Sequence, residues 1–289
     1  MLKALIKTMR PRQWPKNGFV FFAMIFDKQL FIPESFLRTV EGFFLFCLMS
    51  SAVYIFNDLA DIEVDRQHPK KKHRPLASGE LPLSVAMTTA LVLVVIVIPL
   101  GYLLSPAFAG ILALYFIINL LYSRWLKHVP ILDVLIVSSG FVLRVAAGIT
   151  LITVERFSPW LYVVTTLFSL YIGLGKRRAE MNLLAQGAAS HRKVLDGYTI
   201  PLLDQYITIV SSTTIVAYSL YTFSAPNLPA NHTMMLTIPF VVYGIFRYLQ
   251  LIQMGHAAGS PDEVALKDRS LQITVLLWGL AVIGVFYLS

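Results

Sequence analysis

The segment from Asn57 to Gly79, NDLADIEVDRQHPKKKHRPLASG, joins an apolar run to a block of acid and then a block of base. Four carboxylates fall within eight residues, and five cations follow within nine. The residues that precede it, GFFLFCLMSSAVYIF, are typical of a membrane-spanning helix. The charged segment therefore marks the end of a span, where the chain leaves the membrane.

The acid block has the spacing of one helix face. Asp58, Asp61 and Asp65 are three and four residues apart, so a helix would bring their carboxylates together. Asn57 adds an amide oxygen, whereas Glu63 points elsewhere. Mg²⁺ prefers such oxygen ligands and shares them with substrate phosphates. The spacing predicts a metal site formed by Asn57 and the three aspartates; the alternative is an acidic helix end neutralised by the following lysines.

The basic block is suited to phosphate. Arginine binds phosphate with two parallel hydrogen bonds, and lysine acts as a point charge. Arg74 lies in RPLASG, a rigid turn, and Lys71 precedes it. We interpret both as phosphate ligands, although Lys70, Lys71 and Lys72 are also compatible with contact to anionic lipid headgroups.

Composition places the chain among multi-spanning membrane proteins. Of its 289 residues 56% are hydrophobic and only 14% are charged, against roughly 25% charged residues in soluble domains. The net charge of +8 fits basic cytoplasmic loops. No nucleic-acid-binding motif is present, so we expect membrane lipids and no nucleic acid as partners.

Nine segments are long and apolar enough to be candidate spans. They cover approximately residues 16–32, 36–56, 84–104, 107–124, 131–152, 158–175, 202–224, 233–254 and 270–288. Nineteen of the 24 lysines and arginines fall on one side of this arrangement. The positive-inside rule then predicts a cytoplasmic N-terminus, with the long loops 57–83 and 176–201 on the cytoplasmic side of the cell membrane.

The motif NDLADIEVD resembles the first aspartate-rich motif, NDxxDxxxD, of the UbiA superfamily of intramembrane prenyltransferases. The resemblance extends over the whole chain. It implies an all-α membrane protein with one domain over 1–289, in which nine helices surround a central cavity. It also implies Mg²⁺ as cofactor, a cytoplasmic active site and a homotrimer. Typical members transfer a prenyl group from a diphosphate to an aromatic acceptor.

The loop after the sixth predicted span departs from that pattern. Typical members carry a second motif, DxxxD, which helps to hold a second Mg²⁺. Here the segment reads LGKRRAEMNLLAQGAASHRKVLDGYTIPLLDQY and lacks it. This loop, with RPRQWPKN, FVLRVAAG and SPDEVALKDR, resembles the phosphoribosyltransferase branch of the superfamily. That branch uses phosphoribosyl pyrophosphate (PRPP) and a polyprenyl phosphate to make precursors of the decaprenylphosphoryl-arabinose type for the cell wall.

The resemblance assigns roles to further residues. Mg²⁺ held by the aspartates and Asn57 would stabilise the leaving pyrophosphate. Arg144 lies in the middle of a span, where a charge is costly, and should face the cavity. The expected substrate-binding residues are Arg10, Lys16, Lys71, Arg74, Tyr122, Lys127, Arg144, Lys176, Arg177, Arg178, Glu180, Arg192 and Tyr198.

Two alternatives remain open at this point. The first is a conventional UbiA prenyltransferase acting on an aromatic or other small acceptor, against which the missing second motif argues. The second is a transporter, which would also place charges within spans. Transporters usually do so at helices that are broken near the midplane, whereas the charged block here follows the end of a span.

Overall fold

The computed structural model describes residues 1–68, 71–154, 158–185, 193–226, 228–254 and 268–288. Within these ranges the regular structure is all helical. The α-helices are α1 (Leu2–Met9), α2 (Phe22–Phe26), α3 (Pro33–Ala60), α4 (Ile62–Gln67), α5 (Leu83–Leu104), α6 (Pro106–Arg124), α7 (Leu132–Ile149), α8 (Pro159–Ala185), α9 (Ile200–Ser224), α10 (Ile238–Gln253) and α11 (Arg269–Leu288). Short 3₁₀-helices cover Pro11–Phe21, Lys71–His73, Leu126–His128, Lys193–Gly197 and Thr233–Thr237.

Two long helices begin at recognisable capping residues. The Ser105 hydroxyl accepts a hydrogen bond from the Phe108 N–H at 3.4 Å, and Pro106 occupies the first turn of α6. Thr199 caps α9 in the same way through the Leu202 N–H at 3.3 Å. Both pairs satisfy backbone N–H groups that the helix leaves unbonded, and proline is tolerated there because its missing N–H costs nothing.

Seven of the predicted spans are present as helices that are long and apolar enough to cross a membrane, among the residues that the structure describes. They are Pro33–Ala60, Leu83–Leu104, Pro106–Arg124, Leu132–Ile149, Ile200–Ser224, Thr233–Gln253 and Arg269–Leu288. Apolar side chains such as Val95 and Leu103 on α5 are exposed, as expected of a surface that faces lipid.

The first predicted span, residues 16–32, is not one regular helix. A 3₁₀-helix runs to Phe21, and α2 adds only five residues before the backbone reverses at Lys28, whose φ is 57°. Pro15 lies inside the 3₁₀-helix, where its ring excludes a normal α-helical hydrogen bond. Proline therefore explains the irregular geometry.

The sixth predicted span, 158–175, is longer than expected. Helix α8 continues without interruption from Pro159 to Ala185. Residues 176–185, which the sequence assigned to a loop, are its last turns, so the loop prediction was wrong there. Lys176, Arg177 and Arg178 therefore have fixed helical positions.

The chain divides into two compact units. The first contains residues 1–25, 29–127 and 143–154, and the second contains residues 26–28, 128–142 and 155–289. The first unit has a core around Phe46, Met49 and Phe108 on α3 and α6. The second has a core around Tyr171 and Leu203 on α8 and α9. The expected single domain over 1–289 stays a prediction.

Candidate active site

Asp58 and Asp65 are buried carboxylates at the junction of α3 and α4. Asp58 is 3% exposed and Asp65 is 1% exposed. The helix is interrupted at Asp61, whose φ and ψ are −100° and 7°. Backbone bonds from Asp61 N to Asn57 O (3.0 Å) and from Asp65 N to Asp61 O (2.8 Å) bridge the interruption. The acid block is therefore a kinked helical segment rather than the continuous helix that the spacing suggested.

Arg74 joins the two buried carboxylates. Its Nη1 atom lies 2.9 Å from Asp58 Oδ1 and 2.6 Å from Asp65 Oδ2. The turn that follows is held by Ser78 N–H to Arg74 O (2.9 Å) and ends at Gly79, whose φ of 80° suits glycine. One cation thus lies between two buried aspartates and forms an ion pair with each of them.

Arg10 is a second cation on Asp58. Its guanidinium forms an ion pair with Asp58 Oδ1 and lies 5.0 Å from the centre of the Tyr54 ring. Arg10 has a left-handed backbone, with φ 55° and ψ 57°, at the end of α1. Arg10 is one of the expected substrate-binding residues. The structure places its guanidinium on the acid block, and its contact with substrate stays a prediction.

Lysines complete the charge balance of this cluster. Lys127 Nζ lies 2.5 Å from Asp61 Oδ1. Lys71 Nζ lies 3.8 Å from Asp65 Oδ1, a buried oxygen that accepts no hydrogen bond. Glu63 is exposed and pairs with Arg66, in keeping with the prediction that it points elsewhere. The ionic cluster of the first unit consists of Arg10, Asp58, Asp61, Asp65, Lys71, Arg74 and Lys127.

Ser123 on α6 orients Asn57. Its hydroxyl contacts Asn57 Oδ1 and also lies 2.9 Å from the Asn119 carbonyl oxygen. A hydroxyl has one proton, and a carbonyl can only accept. The Ser123 hydroxyl therefore donates to one of these two oxygens at a time, and its contact holds Asn57 Oδ1 towards α6. Ser123 was not predicted, because an isolated serine at a helix end carries no signal in the sequence.

The donor chemistry of the acid block fits a magnesium ion. Asn57 and the three aspartates offer only oxygen atoms, and Asp65 Oδ1 is buried without a hydrogen bond. Across the described ranges, however, no three His, Cys, Asp or Glu side chains are grouped as a metal site. Arg74 lies between Asp58 and Asp65 and is bonded to both carboxylates.

Arg144 lies in a buried polar cluster of the first unit. It is 5% exposed. Its Nε donates to Asn17 Oδ1 at 2.8 Å, its Nη2 donates to the Tyr115 hydroxyl at 3.2 Å, and its guanidinium lies 5.1 Å from the Phe46 ring centre. Hydrogen bonds and aromatic faces offset the cost of a charge within a membrane span.

A second ionic cluster lies in the second unit, around the fully buried Asp133. Arg177 Nε donates to Asp133 Oδ2 at 2.7 Å and its Nη1 donates to Glu180 at 2.5 Å. Tyr198 donates its hydroxyl to Asp133 Oδ1 at 2.7 Å and accepts from the Ile131 N–H at 2.5 Å. Burial raises the pKa of Tyr198, and the bond to Asp133 raises it further, so the phenol stays protonated and keeps donating.

Arg178 connects three helices of the second unit. Its Nε lies 2.5 Å from Asp204 Oδ1 on α9, and its Nη2 lies 2.6 Å from Gln253 Oε1 on α10. Arg177 and Arg178 are both buried, whereas Lys176 is half-buried. The two arginines therefore have partners within the protein, and their predicted contact with substrate stays a prediction.

Comparison with protein families matches residues 18–262 to the UbiA prenyltransferase family. The chain belongs to this family. It is therefore a multi-pass membrane protein, with the seven candidate spans described above.

Similar curated proteins share one name. Decaprenyl-phosphate phosphoribosyltransferase of Mycolicibacterium smegmatis is 36% identical over 96% of this UbiA-family chain and 91% of its own length. The enzymes of the same name from Corynebacterium glutamicum and Mycobacterium tuberculosis are 34% and 33% identical over 98% of the chain, and over 87% and 94% of their own lengths.

Solved structures confirm the UbiA fold. A UbiA homologue from Archaeoglobus fulgidus bound to DMAPP and Mg²⁺ superposes with a TM-score of 0.74 at 16% identity, over 99% of both chains. The same homologue bound to GPP and Mg²⁺ gives a TM-score of 0.73 at 16% identity, over 96% of both chains.

The remaining predicted residues of this UbiA-family protein have different outcomes. Lys16 lies half-buried in the first 3₁₀-helix, and Tyr122 lies half-buried near the end of α6. Arg192 lies outside the described residues. Their roles toward substrate stay predictions.

Proposed function

We propose that this protein transfers a 5-phosphoribosyl group from PRPP to a polyprenyl phosphate and releases pyrophosphate. The ionic cluster of the first unit carries the proposal, because four cations are already built around the aspartate motif. PRPP and a lipid phosphate are both anionic, and such cations stabilise them. The names of the similar enzymes from mycobacteria and corynebacteria support the same substrates.

The reaction requires charge stabilisation rather than a base. An oxygen of the acceptor phosphate forms a bond to C1 of the ribose, and the bond from C1 to the pyrophosphate oxygen breaks. The pyrophosphate leaves with the electron pair. Since the acceptor phosphate is already an anion at neutral pH, no side chain must remove a proton.

The residues of the first unit have separate tasks in this proposal. Mg²⁺ held by Asp58, Asp61, Asp65 and Asn57 would neutralise negative charge on the departing pyrophosphate. Arg74 and Lys127 would supply positive charge to the phosphates, and Ser123 orients Asn57. Such preorganised charge is the main source of rate enhancement for reactions of this kind.

We also propose the finer topology that the charges favour. The chain crosses the cell membrane nine times as one domain, with α8 and the irregular segment after Pro11 as the two additional crossings. The N-terminus and the aspartate motif lie on the cytoplasmic side. A homotrimer stays a prediction from resemblance.

A conventional prenyltransferase is the second candidate, because the family that matches residues 18–262 is described by that activity. In that case the donor would be a prenyl diphosphate and the acceptor a small aromatic compound. The absence of DxxxD from residues 174–206 speaks against it, since typical members hold the diphosphate with metals from two sides. The names of the similar enzymes also disfavour the transporter.

One assay separates these activities. The purified full-length protein is incubated with PRPP labelled in the ribose, polyprenyl phosphate and Mg²⁺, and the organic phase is analysed for ribose phosphate. We expect label in the lipid fraction, and no product from geranyl or longer prenyl diphosphates with 4-hydroxybenzoate. The reverse selectivity would overturn the phosphoribosyl assignment and leave the UbiA fold intact.

A further inference from the structure

The carboxylates that would bind metal are the same groups that hold the fixed cations. Arg74 Nη1 lies 2.9 Å from Asp58 Oδ1 and 2.6 Å from Asp65 Oδ2. It thus occupies the position between two carboxylates that a bound cation would take. Arg10 is a further partner of Asp58, and Lys127 lies 2.5 Å from Asp61. A metal ion must displace or share these partners.

The charges of the cluster favour replacement of the arginine by a metal ion only when a pyrophosphate group is present. The three aspartates contribute three negative charges, and Arg10, Lys71, Arg74 and Lys127 contribute four positive charges. A free divalent cation would approach a cluster that is already positive. It would leave the partly buried guanidinium of Arg74 without its carboxylate partners, which is costly. A pyrophosphate group supplies new oxygen partners for the released cations and binds the metal at the same time.

We propose that Arg74 acts as an exchangeable latch, so that the metal and the pyrophosphate group of the donor bind only together. With no donor bound, Arg74 lies between the carboxylates of Asp58 and Asp65 and excludes free metal. When the donor binds, Arg74 moves from the carboxylates to the phosphate oxygens and the carboxylates become metal ligands. The latch rests on the proposed function only in requiring a donor with a pyrophosphate group, which PRPP and prenyl diphosphates both have.

The test uses metal and inorganic pyrophosphate, with neither PRPP nor lipid. Binding of Mn²⁺ to the purified full-length protein is followed from the electron paramagnetic resonance signal of the free ion, and binding of labelled pyrophosphate is measured with and without Mg²⁺. For the parent protein we expect weak Mn²⁺ binding alone, and pyrophosphate binding that requires Mg²⁺. Tight Mn²⁺ binding to the parent protein alone would overturn the latch without any variant.

Arg74→Gln provides the decisive variant. The substitution removes the guanidinium from between the carboxylates of Asp58 and Asp65. We therefore expect Mn²⁺ alone to bind at least about tenfold more tightly to this variant than to the parent. The loss of a charge-assisted contact should weaken pyrophosphate binding by about tenfold to a hundredfold. A variant that gains no Mn²⁺ affinity contradicts the proposal.

Arg66→Gln is the matched control. Arg66 belongs to the same segment, but it is exposed and pairs with Glu63. Both affinities should stay at the parental values in this variant. If Arg66→Gln increased Mn²⁺ affinity as much as Arg74→Gln, general removal of positive charge would explain the effect and the latch would be rejected. Activity with PRPP is not measured, so this outcome is independent of donor identity.

Discussion

At the scale of single residues, burial determines how the acid block behaves. Asp58 and Asp65 are almost inaccessible to solvent, and an unpaired charge in such a place is strongly unfavourable. Arg10 and Arg74 therefore stabilise Asp58, whereas the half-exposed Asp61 needs only Lys127. Removing one charge from such a group leaves the others uncompensated.

Asp58→Asn should abolish turnover. The asparagine keeps the size of the side chain but loses the charge that pairs with both arginines and that would bind the metal. Because two charge-assisted contacts are lost, we expect kcat/KM to fall at least about a hundredfold in the lipid-extraction assay. Glu63→Gln is the control and should be mild, because Glu63 is exposed and touches Arg66. Near-normal activity of Asp58→Asn would exclude a role for this carboxylate in catalysis.

Ser123→Ala should impair activity through Asn57. The hydroxyl that orients the Asn57 amide is lost, so the amide group can rotate and its oxygen is no longer fixed. We expect a decrease in kcat of about tenfold, with Ser123→Thr close to the parent because it keeps the hydroxyl. Equal activity of the alanine and threonine variants would contradict the positioning role.

At the scale of helices, α8 carries two kinds of cation. Arg177→Ala leaves Asp133 as a buried carboxylate without its ion pair, which costs about 3–5 kcal/mol of stability. We expect a lower Tm in detergent for this variant. Lys176→Ala removes only a half-buried cation and should change Tm little, while raising the KM for PRPP about tenfold or more. A normal Tm for Arg177→Ala would show that the Asp133 pair is unimportant for stability.

Close packing of α7 on the first 3₁₀-helix depends on Gly148. A Cβ atom at this position would lie 2.0 Å from the Val20 carbonyl oxygen. Gly148→Ala should therefore separate the two segments, disturb the bond from Arg144 to Asn17 and lower Tm. Gly110→Ala on α6 is the control, since no atom lies within 4 Å of its Cβ position, and helix propensity favours alanine there. Equal Tm values for the two variants would contradict this packing.

At the scale of the whole molecule, the distribution of cations predicts the orientation in the membrane. The chain has one cysteine, Cys47, which is fully buried and should not react. Glu80 and Ala230 are exposed and lie on opposite sides of the predicted topology.

We expect a membrane-impermeant maleimide to label Glu80→Cys in inside-out vesicles and Ala230→Cys in right-side-out vesicles. The unmodified protein is the control for background labelling. Labelling of both variants from the same side would invalidate the predicted orientation.

The sequence alone was sufficient to predict that this is a membrane protein, to locate seven of its spans and to identify the UbiA family. Hydrophobic length and helix-end prolines act locally, so they can be read along the chain. The aspartate motif could be found for the same reason, because its residues are close in sequence. The exposed position of Glu63 also followed from its spacing.

Only the tertiary structure decided which charges meet. Arg10, Lys127 and Ser123 are distant in sequence from Asn57, Asp58 and Asp61, and no periodicity predicts those contacts. The interruption at Asp61 and the extension of α8 beyond Gly175 were also not predicted from the sequence. Burial within the folded chain makes an isolated charge costly, so the fold selects partners that a linear pattern does not reveal.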